Sequence, residues 1–322
     1  MVKVAAVQFD PKIGQNQQNL SRVLSLLGRA AASGVHLAVF PEASISGYVF
    51  DSLEEAFSVA EPIPGPASLA LEDRCAKLGI HAIMGLLERE GSRVYNSAIV
   101  CGPNGLIGHY RKAHLPYLGV DRYATHGNTP LGVFETTAGK VGVMICYDQR
   151  FPEAARCLAL EEADIIALPT NWPKGAENAP EYILRTRALE NRVFLIGANR
   201  IGKERGAEFI GRSCIFDPSG NRLADADGAS ETILCAEIDP TLARQKRLII
   251  EKGKFEMDTV GDRRPELYGI LVESRQESRV GRKSQVASRR KNVPSRRSQV
   301  AGRKSMHVAS RRSKAPSRRP KI

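Results

Sequence analysis

A layered α/β domain with mixed sheets is the fold this sequence predicts, followed by a basic tail of different character. Three observations predict it. Short apolar runs of strand type alternate with segments whose apolar residues recur at helical spacing. Some neighbouring strands are joined by tight-turn sequences and others by helical segments, so antiparallel and parallel pairing should coexist. At 322 residues the chain can bury a large core, and no run approaches the ~18 apolar residues of a membrane span. A purely parallel doubly wound sheet does not fit the hairpins.

The elements follow in order. Val2–Phe9 alternates and reads as a first strand rather than a signal peptide. Leu20, Val23, Leu24, Leu27, Ala30 and Ala31 recur at 3.6 spacing, which predicts a helix over 17–33 ending at Gly34. Val35–Phe40 is a buried strand stopped by Pro41. Pro66–Leu78 is a helix with Pro in its first turn and Gly79 at its end. Ile80–Glu88, Arg93–Cys101 and Leu106–Lys112 are strands, the last two joined across Pro103-Asn104-Gly105. Val141–Cys146, Ile165–Leu168 and Val193–Ala198 are strands, and Pro152–Glu162 and Glu181–Asn191 are helices between them. Phe209–Phe216 and Thr232–Ile238 close the body, with a Pro218-Ser219-Gly220-Asn221 turn between them.

The net charge of +12 hides two parts. Residues 273–322 hold 17 Lys/Arg against two acids, and the other 272 residues hold 30 bases against 33 acids. A body near −3 therefore carries a tail of +15. The tail divides into near-heptads without an apolar seam, so it is not a coiled coil, and its few large apolar residues predict disorder. Two readings of it stand side by side: an arm for nucleic acid or another polyanion, and a repeat expansion or read-through segment with incidental charge. Six cysteines without a CxxC pair favour reduced thiols and a cytoplasmic location over disulfides or zinc. The histidines are scattered, with only the weak pair His109 and His114 near metal-ligand spacing, so no metal site is expected.

Three residues stand at the ends of predicted strands. Cys146 follows Val141-Gly142-Val143-Met144-Ile145 and precedes a helix start, where backbone N–H groups favour a thiolate and can hold an oxyanion. A small core cysteine is the plainer reading, and the other five cysteines keep it. Glu42 ends the run His36–Pro41, where desolvation would raise its pKa toward that of a general base, although a solvated loop acid is the commoner case. Lys112 could hold an oxyanion or simply lie in solvent. Together, in order, they supply a base, a cation and a nucleophile.

Phe40-Pro41-Glu42, Tyr110-Arg111-Lys112-Ala113-His114-Leu115 and Gly142-Val143-Met144-Ile145-Cys146-Tyr147-Asp148 resemble the three signature segments of the nitrilase superfamily of carbon–nitrogen hydrolases. Val4-Ala5-Ala6-Val7-Gln8, Arg187–Arg192 and Ala198-Asn199-Arg200 are similar too, so the resemblance covers about residues 2–270. It implies an α-β-β-α sandwich that dimerises through its helices into a homodimer or higher even oligomer. It also implies Glu42 as general base, Lys112 as oxyanion stabiliser, Cys146 as nucleophile and the Tyr147 N–H as second oxyanion donor, with no cofactor. Asp121, the acid that follows the lysine segment, takes the supporting role, although Ala124–Asn128 departs from the family's Pro-Gly-Asp ending.

The substrate implied is a small aliphatic, omega- or N-carbamoyl amide, because Cys146–Glu153 resembles the amidase branches and lacks the Cys-Trp-Glu pattern of true nitrile hydrolases. Tyr48, Asn171 and Trp172 stand on loops after predicted strands as pocket candidates, with ordinary loop packing as their alternative. Arg150 could bind a substrate carboxylate or pair with Asp148 or Glu153. A nitrilase is the rival within the class. A polyanion-binding protein with the body as scaffold is the rival outside it.

Overall fold

The computed structural model describes residues 1–273. The expected disordered tail falls, but for Glu273, outside the described residues. In chain order the elements are β1 (Val2–Gln8), α1 (Asn16–Ala32), β2 (Leu37–Val39), α2 (Leu53–Val59), α3 (Pro66–Leu78), β3 (His81–Glu90), β4 (Arg93–Gly102), β5 (Gly105–Arg111), β6 (Val133–Thr136), β7 (Gly139–Val143), α4 (Pro152–Leu160), β8 (Ile165–Thr170), α5 (Leu184–Asn191) and β9 (Phe194–Asn199). The small hairpin β10–β11 (Lys203–Glu204, Ala207–Glu208) follows. Then come β12 (Cys214–Phe216), β13 (Arg222–Asp225), β14 (Thr232–Ile238), α6 (Thr241–Arg244) and the hairpin β15–β16 (Arg247–Glu251, Phe255–Asp258). Residues 264–273 belong to a separate unit and hold two short 3₁₀ turns, Pro265–Leu267 and Gly269–Leu271.

Two six-stranded sheets carry the first unit, in the orders β14-β1-β2-β3-β4-β5 and β13-β12-β9-β8-β7-β6. Each has three parallel strands (β1, β2, β3 and β7, β8, β9) flanked by antiparallel neighbours. The sheets are mixed for the expected reason: helices return the chain to parallel strands, and turns such as Pro103-Asn104-Gly105 fold it into hairpins.

Period-two alternation assigns the faces. Along β1, Val4 and Ala6 enter the core between the sheets, with Leu37, Val39, Ile83, Val143 and Ile196. Ala5 and Val7 point the other way, onto Val23, Leu26 and Leu27 of α1 and Leu71 and Cys75 of α3. Ala155 and Leu158 of α4 and Leu184 and Ala188 of α5 cover the second sheet. The layers are therefore helix, sheet, sheet, helix.

Several expectations change in detail. Helix α2 was not anticipated, although its signal is present: Ser52 caps Glu55 N, and Glu55 reaches back to Asp51 N. Strands β6 and β13 and the β15–β16 hairpin are likewise additions, short or exposed enough that their apolar alternation is weak. The strand expected over Phe209–Phe216 shrinks to Cys214–Phe216, because Gly211 and Arg212 both take positive φ and break the extended run. The strand leading to Cys146 stops at Val143, three residues early. The helix expected from Glu181 starts as a π turn, Ala179–Ile183, and becomes regular at Leu184.

One glycine matters for the site. A Cβ on Gly85 of β3 would lie 2.6 Å from Glu42 Cα, Ala43 N and Pro41 O. All three are held in place by the ladder that continues through Phe40 N to Ile83 O, Gly85 N to Pro41 O and Ser44 N to Gly85 O. Gly85→Ala should therefore displace the Glu42 backbone and cost roughly 1–3 kcal/mol. Chemical denaturation together with turnover per folded molecule checks this, and both should fall.

Candidate active site

Strand ends from both sheets converge here. Glu42 follows β2, Lys112 follows β5, Cys146 lies just past β7, and Asn171 and Trp172 follow β8. Such ends are where α/β sheets present side chains without disturbing a ladder.

Lys112 is the centre of the polar cluster. Its Nζ lies 2.6 Å from Glu42 Oε1 and 2.6 Å from Asp121 Oδ2, and all three side chains are fully buried. Asn96, in the middle of β4, donates to Glu42 Oε1 at 2.7 Å and to Asp121 Oδ1 at 2.8 Å. The Tyr48 hydroxyl donates to Asp121 Oδ2 at 2.8 Å. Asp121 is thus saturated with donors, whereas Glu42 Oε2 has no partner among the described residues.

Electrostatics follow from burial. Desolvation raises the Glu42 pKa above the ordinary 4.5, against the pull of Lys112. For Lys112, burial opposes the ammonium, but Asp121, Glu42 and Cys146 outweigh it and hold the pKa well above 10.5. Burial, then the Glu42 charge, push the Cys146 thiol up to about 12, while Lys112 pulls it down. The resting site is a buried ion pair beside a neutral thiol. A thiolate formed there would find the Thr170 hydroxyl and the Asn171 N–H as donors.

Cys146 opens a 3₁₀ turn, Cys146–Arg150, with φ of +43°. A non-glycine residue there carries strain on the order of 1–3 kcal/mol and needs its surroundings to hold it. Asp148 does so, accepting from Ile145 N at 2.9 Å.

Beside Cys146 lies a cavity of about 280 Å³ lined by Leu118, Tyr147, Gln149, Arg150, Trp172 and Lys174, among others. A larger cavity of about 670 Å³ beside α4 and α6 shares no residue with it. Arg244 there pairs with Asp164 at 2.9 Å and Lys140 with Glu162 at 2.8 Å, and Lys246 donates to the backbone oxygens of Asn191 and Arg192. The smaller cavity is the candidate, because it reaches the nucleophile-bearing turn.

The structure brings Glu42, Lys112 and Asp121 into contact, with Cys146 near enough to feel the charges of Glu42 and Lys112 and with Tyr147 lining the same cavity as Cys146. Of the pocket candidates, Trp172 and Arg150 line the cavity. Asn171 is buried, with neither side-chain polar atom hydrogen-bonded within the described residues. Tyr48 is not a lining residue; it stands behind the cluster, its ring 6.0 Å from Lys112 Nζ. The suggested pairing of Arg150 with Asp148 does not occur. Arg150 donates instead to Asn178 Oδ1 at 3.4 Å, and Asp148 is buried with Tyr110 and His114. Asn96 was missed, although an Asn amid the apolar run of a central strand was a signal that its amide must be paired. Among the described residues no His/Cys/Asp/Glu group is disposed to hold a metal, and no helix is long and apolar enough to cross a membrane.

Residues 3–248 match the family model described as carbon-nitrogen hydrolase. A protein from Pyrococcus abyssi named nitrilase is 41% identical over 271 residues, covering 83% of this chain and 99% of its own. An N-carbamoylputrescine amidase from Arabidopsis thaliana is 33% identical over 276 residues, covering 79% of this chain and 90% of its own. An amidase structure from Nesterenkonia sp. superposes with a TM-score of 0.70 at 24% identity, covering 84% of this chain and 96% of that one, a likeness of fold.

Removing Lys112 alone leaves two buried carboxylates facing each other. Lys112→Ala should cost about 3–5 kcal/mol at pH 7. Without the cation nothing opposes the burial that already raises the Glu42 carboxyl. The deficit should therefore shrink as pH falls and Glu42 takes up its proton, and denaturation midpoints between pH 4 and 8 check this sign.

Proposed function

The chain belongs to the carbon–nitrogen hydrolase family, and we propose that it hydrolyses a small amide through a thioester on Cys146. The observation that carries the proposal is the fully buried Glu42–Lys112–Asp121 cluster, with Glu42 keeping one oxygen free and its charge felt at the Cys146 thiol.

A thiol held near pKa 12 is no nucleophile at rest, so proton removal must accompany attack. Glu42, made more basic by burial, takes the Sγ proton as sulfur adds to the amide carbon. Lys112 and the Tyr147 N–H hold the oxyanion. Protonated Glu42 passes the proton to the departing ammonia or amine, leaving the thioester. Water then gives a proton to Glu42 and its oxygen to the acyl carbon, and the proton returns to sulfur as the acid leaves. These steps use no metal or organic cofactor. Losing one oxyanion donor typically costs ~10²–10³ in rate. Asp121, held by Asn96 and Tyr48, supports Lys112 from the side away from substrate. Asn171, Trp172 and Arg150 are the proposed substrate contacts, since the first keeps an unpaired buried amide and the others line the cavity.

A second reading, hydrolysis of a nitrile, is favoured by the similarity to the Pyrococcus protein. Supplying a nitrile and its amide separately and measuring ammonia and acid distinguishes the two. We further propose a homodimer through the second helical layer, which exposes Leu160, Tyr182 and Leu189. The tail, 273–322, is proposed to bind polyanions, tested by electrophoretic shift with and without it across salt.

Cys146→Ala and Glu42→Gln should abolish ammonia release in a screen over amides, carbamoyl amines and nitriles while melting like the parent. Full activity in either would sink the assignment. The acid limb of kcat/KM should lie above pH 4.5, because Glu42 must be ionised and its pKa is raised. No alkaline loss is expected up to about pH 10 from Lys112 or Cys146, which titrate higher.

A further inference from the structure

The proposed triad straddles two sheets. Lys112 follows β5 of one, and Cys146 follows β7 of the other. Something must fix the spacing between ammonium and sulfur, since a misplacement of ~1 Å can cost ~10²-fold in rate.

Asp148 is placed to do this. Its carboxylate is completely buried and accepts four hydrogen bonds. Oδ1 accepts from His114 N at 3.1 Å and faces His114 Nδ1 at 2.7 Å. The acceptor-only carboxylate assigns the Nδ1 proton. Oδ2 accepts from the Tyr110 hydroxyl at 2.9 Å and from Ile145 N at 2.9 Å. Tyr110 and His114 flank Lys112 at two residues on either side, and Ile145 immediately precedes Cys146. One carboxylate therefore binds the lysine segment on both sides of Lys112 and the turn that holds Cys146 in its strained conformation. The link is braced. Tyr110 oxygen accepts from Ala113 N at 3.1 Å, and the His114 ring stacks on Phe151 at 3.7 Å, with Tyr147 edge-on to Phe151 at 5.2 Å.

We propose that Asp148 is a positioning residue that sets the distance between Lys112 and Cys146 by bonding both segments at once. It rests on the reading of Lys112 and Cys146 given above, touches no reacting atom and acts through the four donors it collects. A structural role alone would lower stability and leave turnover per folded molecule intact. A positioning role lowers kcat in folded enzyme.

The test uses the full chain, with the amide turned over fastest in the screen. Asp148→Asn keeps the shape but turns one acceptor into a donor facing donors. Expected are a kcat about 100-fold lower, a KM within about threefold of the parent, and a several-fold change in the rate at which iodoacetamide alkylates Cys146. Tyr110→Phe should lower kcat by about three- to tenfold, and the double variant should be no slower than Asp148→Asn alone, because both cut one link. A folded Asp148→Asn with kcat within twofold of the parent overturns the proposal, as do losses that simply multiply in the double variant.

If Asp148→Asn does not fold, His114 decides. His114→Ala should lower kcat about tenfold, and His114→Asn, whose amide can donate from the Nδ1 position, should recover most of that loss. Equal loss in both, or loss in neither, overturns the proposal. Alkylation of Cys146 reads the geometry whatever the substrate is. A failed link is therefore distinguishable from a failed triad, which Cys146→Ala tests.

Discussion

A single ammonium buried between two carboxylates is the constraint around which the first unit is arranged. Lys112 cannot shed its proton while Glu42 and Asp121 flank it at 2.6 Å, and neither acid is satisfied without it. Each ion has lost several kcal/mol of hydration, which only good geometry and further donors repay. The structure supplies those donors as neutral groups. Asn96 spans both acids and the Tyr48 hydroxyl completes Asp121, so the cluster carries charge without a second cation. The carboxylate oxygen left without a partner among the described residues, Glu42 Oε2, is the one a general base requires.

Burial of such a cluster demands rigid surroundings, and these extend outward in shells of polar pairing. Arg200, fully buried, donates to Glu204 at 2.6 Å and to Asp10 at 2.8 Å. Glu204 in turn accepts from Tyr48 N at 2.8 Å and Val49 N at 2.6 Å, which fixes the backbone beneath the tyrosine that holds Asp121. On the other side Asp148 ties the lysine segment to the cysteine turn. On the strand edge Arg111, next to Lys112, pairs with Glu88 and Glu90 and stacks 4.0 Å above Tyr95. Low dielectric makes each of these bonds strong and each orphaned group expensive, so the shells support one another.

Much of this was visible in the chain itself. The period-two run of β1 and the 3.6 spacing of α1 followed from apolar placement alone, because a residue's face is set by backbone geometry. Glu42, Lys112 and Cys146 were legible as polar residues ending apolar runs, where side chains must leave the ladder. Asn96 was harder to see. It lies inside a strand, and its importance depends on two acids distant in sequence. Tyr48 was placed in the pocket by its loop position, yet packing turned it toward Asp121. Arg150 was offered Asp148 as a neighbour, but Tyr110 and His114 had already filled that carboxylate.

Local sequence thus determined element types, the mixed character of the sheets, the charge division between body and tail, and three strand-end residues of reactive type. These depend on backbone period, turn chemistry and composition, which act over a few residues. Tertiary structure alone decided that ends from two different sheets meet at Lys112, and that Asn96 bridges its acids. It also decided that Asp148 joins the two halves, and that Cys146 sits strained beside a cavity of about 280 Å³. Those outcomes depend on contacts between residues 25 to 73 positions apart, such as Asn96 with Asp121 and Tyr48 with Asp121. No local pattern encodes them, because only the packed sheets bring such groups within hydrogen-bond reach.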